Sequence, residues 1–399
     1  MSLEVTALGT GAAFPSPRRG TSAVALRLPD GSVWLFDCGE GTQTQLMRSP
    51  LKPGRVTKIF ITHLHGDHVF GLPGLMCSLS MLAFGTADAA APPDEEAPAE
   101  GPRETAGPPQ LEVFGPVGLR RLLRVALQLS RSQLGFRFAV HELRPSAQQW
   151  SAADSGDWRP PEEVREDDGW TQGAPHPQEE PGREITEGPP QEEGFLVLEG
   201  GPGAPSVRAF PLRHCVPSFG YAVREPPRAG LLHVEVLRGL GVPPGPLYGR
   251  LKAGEAVTLP SGRVLLPGEV ADPPVPGRLV AVFGDCSEPL GPAALRLCQG
   301  ADLLVHEATL EDGLQEKARL RGHSTPSGAA ATALACGAHR LLLTHLSQRY
   351  RPGGPEAARL REQAEARIAL AGDGARCQVT LAEDLMVVDV PLRQQQQQR

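Results

Sequence analysis

Four side chains able to ligate a metal stand within six positions at His63-Leu64-His65-Gly66-Asp67-His68. Neutral imidazole nitrogens and a carboxylate oxygen suit Zn²⁺, and a catalytic zinc keeps one position open for water. A tight His-x-His turn aims two imidazoles at one point, whereas Asp67 and His68 point elsewhere, so the spacing predicts two metals. Two adjacent ions clamp both the attacking and the leaving oxygen of a displacement. The run before the cluster, Lys58-Ile59-Phe60-Ile61-Thr62, is apolar and β-prone, which puts these ligands on the loop leaving a buried strand.

A dinuclear site needs more ligands from elsewhere in the chain. Polar residues that follow apolar, strand-like runs qualify: His214 after residues 207–212, Asp285 after 279–284 and His345 after 340–344. His141 follows a similar run at 135–140 and competes with His214 on this criterion. Gly9-x-Gly11 lacks the third glycine of a dinucleotide loop and is followed by Pro15 and Pro17, so it reads as a tight turn and not a nucleotide cradle.

The succession His-x-His-x-Asp-His, His, Gly-Asp and Thr-His resembles the metallo-β-lactamase superfamily. Within it, Leu8-Gly9-Thr10-Gly11-Ala12-Ala13, Phe36-Asp37-Cys38-Gly39-Glu40-Gly41-Thr42-Gln43, His306-Glu307-Ala308-Thr309 and Gly322-His323-Ser324-Thr325 resemble the short form of ribonuclease Z, a zinc phosphodiesterase that trims tRNA 3′ ends. The resemblance implies an αβ/βα four-layer sandwich with a protruding arm, and two Zn²⁺ per chain. It assigns one metal to His63, His65 and His214, chosen over His141 because of the residues around it. It assigns the second to Asp67, His68 and His345, with Asp285 bridging. Asp67 matches the acceptor of the attacking water's proton. His323 matches the residue that holds the phosphate or protonates the leaving oxygen, Glu307 stands near it, and Asp37 matches a carboxylate orienting a ligand imidazole.

That chemistry needs no covalent protein intermediate. The seven cysteines are odd in number, widely spaced and without a Cys-x-x-Cys pair, which argues against a disulfide framework and a zinc knuckle. The amino terminus lacks a basic flank with an apolar core, and no apolar run reaches membrane-spanning length. Reduced thiols and a cytosolic location are expected, with the nucleus as a further compartment.

The ligands run from His63 to His345, so a single domain over 1–392 is expected. Two inserts, 85–110 and 146–205, are rich in Pro, Gly, Ala and Glu and are expected to be disordered, as is the glutamine-rich tail 393–399. The inserts carry net charges of −5 and −11 against −7 for the chain, leaving +9 for the remainder. An acidic total therefore does not exclude a polyanionic substrate. Residues 224–256 are dense in Gly and Pro and read as a stiff connection, not core. The resemblance makes this segment the tRNA-gripping arm, with Arg228, Arg238, Arg250 and Lys252 for phosphates and Tyr248 for stacking. It also implies precursor tRNA as substrate and a homodimer. The alternative is a small-molecule hydrolase of thioesterase or lactamase type on the same scaffold, which has no use for a distant arm.

Overall fold

The apolar runs become the central strands of two sheets. The computed structural model describes residues 2–83, 109–152, 174–189, 193–201, 203–259, 261–372 and 376–392. The first sheet comprises β1 (Glu4–Gly9), β2 (Ala23–Arg27), β3 (Val33–Phe36), β4 (Val56–Phe60), β5 (Leu111–Pro116), β6 (Phe138–Leu143), β7 (Glu179–Glu180), β8 (Glu184–Ile185) and β19 (Val387–Asp389). Its order is β19-β1-β2-β3-β4-β5-β6-β7, with β8 also on β6. The strands are antiparallel from β19 to β3 and parallel from β3 onward.

The second sheet comprises β9 (Phe195–Leu198), β10 (Ser206–Arg213), β11 (Ser218–Arg224), β14 (Leu279–Val282), β15 (Glu288–Pro289), β16 (Leu303–Glu307), β17 (Arg340–Thr344) and β18 (Gln378–Leu381). Its order is β15-β10-β11-β14-β16-β17-β18, with β9 on β10. β14, β16, β17 and β18 are parallel. In β14, β16 and β17 the runs of Leu and Val follow from burial on both faces, as parallel strands under helices require.

The sheets meet through an aromatic layer. Phe60 stacks between Phe36 and Phe114, each at 5.0 Å, and meets Tyr221 of the other sheet at 5.3 Å. The Tyr221 hydroxyl donates to the Ile61 carbonyl at 2.7 Å, which satisfies a polar atom that burial would otherwise penalise. Helix Leu119–Leu129 turns Leu119, Leu123 and Leu127 inward at helical spacing onto the first sheet. Glu142 accepts from the Gly118 and Arg120 amides at that helix's N-terminus. On the second sheet, helix Pro355–Ala369 buries Ala357, Leu360, Ala364 and Ile368.

Two expectations are corrected here. The stretch 146–205 was expected to be disordered, yet its described part carries helix Ala147–Ala152 and strands β7, β8 and β9. Phe195, Val197 and Ile185 are buried, and the acidic residues are partly used up by Arg124–Glu179 and Arg137–Glu180 ion pairs. Strands of two to four residues are too short to show a period, and their Pro/Glu-rich surroundings hid them. Residues 153–173 and 190–192 lie outside the described residues, as do nearly all of 85–110 and the tail 393–399.

The chain also divides into two compact units where a single domain was expected. The smaller one, residues 198–207 and 223–279, extends beyond the anticipated 224–256 and is not a coreless connection. Leu237, Val242, Leu251, Val257, Leu259, Leu265 and Val270 form its own buried cluster. Helices Val234–Gly239, Pro246–Lys252 and Pro267–Val270 and the hairpin β12 (Val257–Thr258) with β13 (Val264–Leu265) enclose it. Glycines and prolines mark the turns between these short elements, while one apolar residue per turn suffices for the core.

Candidate metal centre

Every residue nominated for the metals follows the carboxyl end of a strand, lies in the short helix Gly66–Val69 or, as His65, caps its start. His63 follows β4, His214 follows β10, Asp285 follows β14 and His345 follows β17. Ligand sites in open α/β sheets gather at this edge. Among the described residues four groups of donor atoms form, each with all its atoms within 4.8 Å: His63, His65 and His214; Asp67, His68 and His345; His63, His68 and Asp285; and Asp285, His323 and His345.

The distances resolve two clusters joined by one carboxylate. His65 Nδ1 lies 3.1 Å from His63 Nε2 and 3.2 Å from His214 Nε2. His345 Nε2 lies 3.2 Å from His68 Nε2 and 3.3 Å from Asp67 Oδ2. Asp285 Oδ2 stands between them, 3.8 Å from His63 and 3.4 and 3.3 Å from His68 and His345.

The outward nitrogens decide which atoms face the centre. His68 Nδ1 donates to Asp37 at 2.7 Å and His214 Nδ1 to the Gly322 carbonyl at 2.7 Å. The Thr62 hydroxyl gives its hydrogen to Asp37, so it accepts from His63 Nδ1 at 3.0 Å. Thr309 stands in the same relation to Glu307 and His345 Nδ1. With those protons placed outward, the inward nitrogens present lone pairs to one another. Lone pairs facing at this separation repel unless a cation lies between them, so the donor set fits two metal ions.

Protonation follows the same logic. Burial holds His63 well below the usual imidazole range and brings His214 down to about 4. For Asp67 and Asp285 burial works against ionisation, but the surrounding imidazoles, His345 and His68 foremost, outweigh it and hold both carboxylates below their usual range. His323 is the opposite case. Burial lowers it, yet Glu307 Oε1 at 3.0 Å overcomes that and raises it to about 9. Glu307 is in turn fixed by the Cys286 amide at 2.8 Å and by Thr309. His323 Nδ1 is 3.7 Å from Asp285, which puts a held proton beside the centre.

Backbone geometry at the site is unusual in places. Asp37 (φ 62), His345 (φ 53) and Ala13 (φ 72) are left-handed without being glycine, a conformation that costs L-residues roughly 1–2 kcal/mol and gathers at functional sites. Gly322 (φ 73) could not be replaced so easily, because a Cβ there would come 2.6 Å from His214 Nδ1.

His141 is left apart from this centre. Its Nδ1 accepts from the Arg183 amide at 3.0 Å, its Nε2 is 3.4 Å from Glu112 and its ring stacks on Phe114. The tRNA-binding nominations fare unevenly. Tyr248 is half-buried: its ring packs against the small unit's core and its hydroxyl donates to the Val242 carbonyl at 3.0 Å. Arg238 and Arg250 are exposed and ion-paired with Glu235 and Glu255, Lys252 is exposed, and Arg228 is half-buried.

Sequence reasoning missed four contributors. Thr309 orients His345, Cys215 lies 3.5 Å from His214 Nε2, and the Ala13 amide donates to Asp67 Oδ2 at 2.6 Å. Asp384 pins the turn that carries Ala13, accepting from the Thr10 amide and hydroxyl, the Gly20 amide and Gln45. A backbone donor and a carboxylate 374 positions from its partner leave no local pattern to find.

A family model described as Anti-Pycsar protein Apyc1 matches residues 3–83, a minor part of the chain that includes the histidine cluster. The chain is 48% identical over 404 residues to zinc phosphodiesterase ELAC protein 1 of Mus musculus, covering 98% of this chain and 100% of the relative. Among solved structures it is similar to human tRNase Z, short form (ELAC1), with a TM-score of 0.61 and 36% identity over 98% of this chain and 100% of that one. The metallo-beta-lactamase fold protein YhfI from Bacillus subtilis superposes with a TM-score of 0.51 at 15% identity, covering 98% of this chain and 100% of that one, a likeness of fold alone.

Proposed function

We propose, because this chain belongs to the tRNase Z family of zinc phosphodiesterases and carries a metallo-β-lactamase fold, that it cuts precursor tRNA after the discriminator nucleotide, leaving a 3′-hydroxyl on the tRNA and a 5′-phosphate on the trailer. The observation that carries this is the bridging position of Asp285 Oδ2 between the His63 and the His68–His345 clusters, with the His323–Glu307 pair alongside. His63, His65 and His214 would hold one Zn²⁺, Asp67, His68 and His345 the other, and Asp285 both.

When bound, the two ions offset phosphate charge and acidify water toward neutral pH. Asp67, held in place by the Ala13 amide, accepts a proton from the attacking water. His323 carries a proton near neutral pH and delivers it to the departing 3′-oxygen, while Glu307 fixes its ring through Nδ1. Attack and departure at phosphorus need no protein nucleophile, so the buried cysteines stay outside the reaction.

The smaller unit would grip the tRNA body through Arg238, Arg250 and Lys252. Exposed ion pairs such as Arg238–Glu235 are worth about 0–1 kcal/mol, so phosphates can compete for these cations. Arg228 would assist. Two chains would pair, in the cytosol and the nucleus; no described helix is long and apolar enough to cross a membrane. The test is to incubate purified protein with 3′-extended tRNA, an unstructured RNA and a thioester, and to map the product ends. Cleavage of the thioester in place of the tRNA would overturn the proposal.

A further inference from the structure

Aromatic rings are scarce in this chain and almost all of its phenylalanines serve the core. Of the twelve, nine are buried and Phe84 lies outside the described residues. Phe14 and Phe70 differ: they are 58% and 62% exposed. Both sit on the backbone segments that hold Asp67. Phe14 directly follows Ala13, whose amide bonds Asp67, and Phe70 caps the short helix carrying Asp67 and His68.

Neither ring is exposed because its loop is loose. The Phe14 amide donates to Ala12 at 2.9 Å and its carbonyl accepts from Gln348 Nε2 at 2.7 Å. The Phe70 amide donates to Gly66 at 2.9 Å, and its ring lies over Gly66, where a Cβ would come within 2.4 Å of it. A fixed backbone with an outward ring loses little entropy on contact, the property of a preformed platform. Leaving two large apolar side chains in water beside a charged site costs stability, so burial in the free protein is not what they serve.

We propose that Phe14 and Phe70 are stacking platforms for the unpaired RNA bases next to the scissile phosphate, a proposal that rests on the nuclease function above. The phosphate is held by charge, which is blind to sequence, while the bases on either side present π-faces that any aromatic ring can accept. Stacking of this kind positions a flexible single strand without reading it. It also places a binding contribution at the centre itself.

The experiment uses the full-length, zinc-loaded protein with Ala, Leu and Trp at each position, Leu keeping apolar bulk without a π-face. One arm follows the fluorescence of a single-stranded RNA bearing 2-aminopurine at a defined position; the other measures KM for 3′-extended tRNA. Wild-type protein and the Trp variants should quench the probe, whereas Phe14→Ala, Phe14→Leu, Phe70→Ala and Phe70→Leu should lose quenching and raise KM roughly 5- to 100-fold. Leu variants indistinguishable from wild type in both arms would overturn the stacking role, as would an equal rise in KM for a dialkyl phosphodiester, which has no ring to stack. Quenching without tRNA cleavage would instead remove the nuclease function and leave the platforms standing. Cleavage with quenching and KM unchanged in every variant would do the reverse.

Discussion

The Ala13 amide donates to Asp67 Oδ2 at 2.6 Å across 54 positions of sequence, and this bond joins the first turn of the chain to the carboxylate assigned to the attacking water. Leu346, next to His345, pairs with the same turn through Thr10 and Ala12. One short segment therefore sets both Asp67 and His345. Behind it, Arg19 is almost fully buried and reaches Thr10, the Ala382 carbonyl and the Tyr350 carbonyl.

Asp384→Asn should disturb this arrangement without touching the centre. The carboxylate accepts four hydrogen bonds on its two oxygens, and an amide offers donors to at least one partner that also donates. Leaving such a group unsatisfied costs about 1–3 kcal/mol. Thermal unfolding should show that loss, and kcat on a small phosphodiester should fall with it. A lowered melting temperature with unaltered kcat would mean the turn is merely structural.

Elemental analysis should find about two Zn²⁺ per chain, the count a shared-carboxylate site holds. Asp285→Ala should lower occupancy and activity together, since its Oδ2 lies near ligands of both clusters. His65→Ala should do so too. A single metal that persists in Asp285→Ala would exclude a bridged pair.

His323→Ala should retain metal and lose roughly 10²- to 10⁴-fold in kcat, the usual contribution of a positioned proton donor. His141→Ala should act differently. It breaks contacts to Arg183 and Glu112 on the first sheet, so it should reduce stability with little effect on turnover of the protein that remains folded. Comparable metal loss in both variants would contradict the assignment of histidines.

Removing the smaller unit's helices and hairpin should separate binding from chemistry. Glu225 and Arg278 already meet through an ion pair and a backbone hydrogen bond at 2.9 Å, so a short linker in place of 226–277 can close the gap at small entropic cost. Cutting at 255 would strand Val257, Leu265 and Val270 without their core partners. Hydrolysis of a chromogenic diester should survive the exchange, whereas KM for precursor tRNA should rise steeply. Affinity should also depend less on salt, because fewer counterions are released. Equal damage to both substrates would assign the unit a structural part instead.

The sequence alone determined what is local. His63, His65, Asp67 and His68 fall within one turn, and spacing over such a distance converts directly into geometry. Asp285 and His345 were legible because continuous Leu/Val runs mark strands buried on both faces, and the residue after such a run lies at a sheet edge. Resemblance supplied the roles of Asp37, His323 and Glu307; in the structure Asp37 meets His68, and Glu307 meets His323, which lies 3.7 Å from Asp285.

Tertiary structure decided the rest. His141 and His214 follow equally β-prone runs, and only their placement on different sheets separates them: β6 carries His141 to Glu112, while the end of β10 carries His214 to His65. The short strands β7 to β9 lie in acidic, proline-rich surroundings, and the core around Leu237 draws a residue or two from each short element, so composition read the first as disordered and the second as a connection without core. Ala13 contributes only an amide, which every residue but proline possesses, and Asp384 reaches the turn that carries it from 374 positions along the chain. Periodicity reports which face of an element is buried; it carries no information on which distant element buries it.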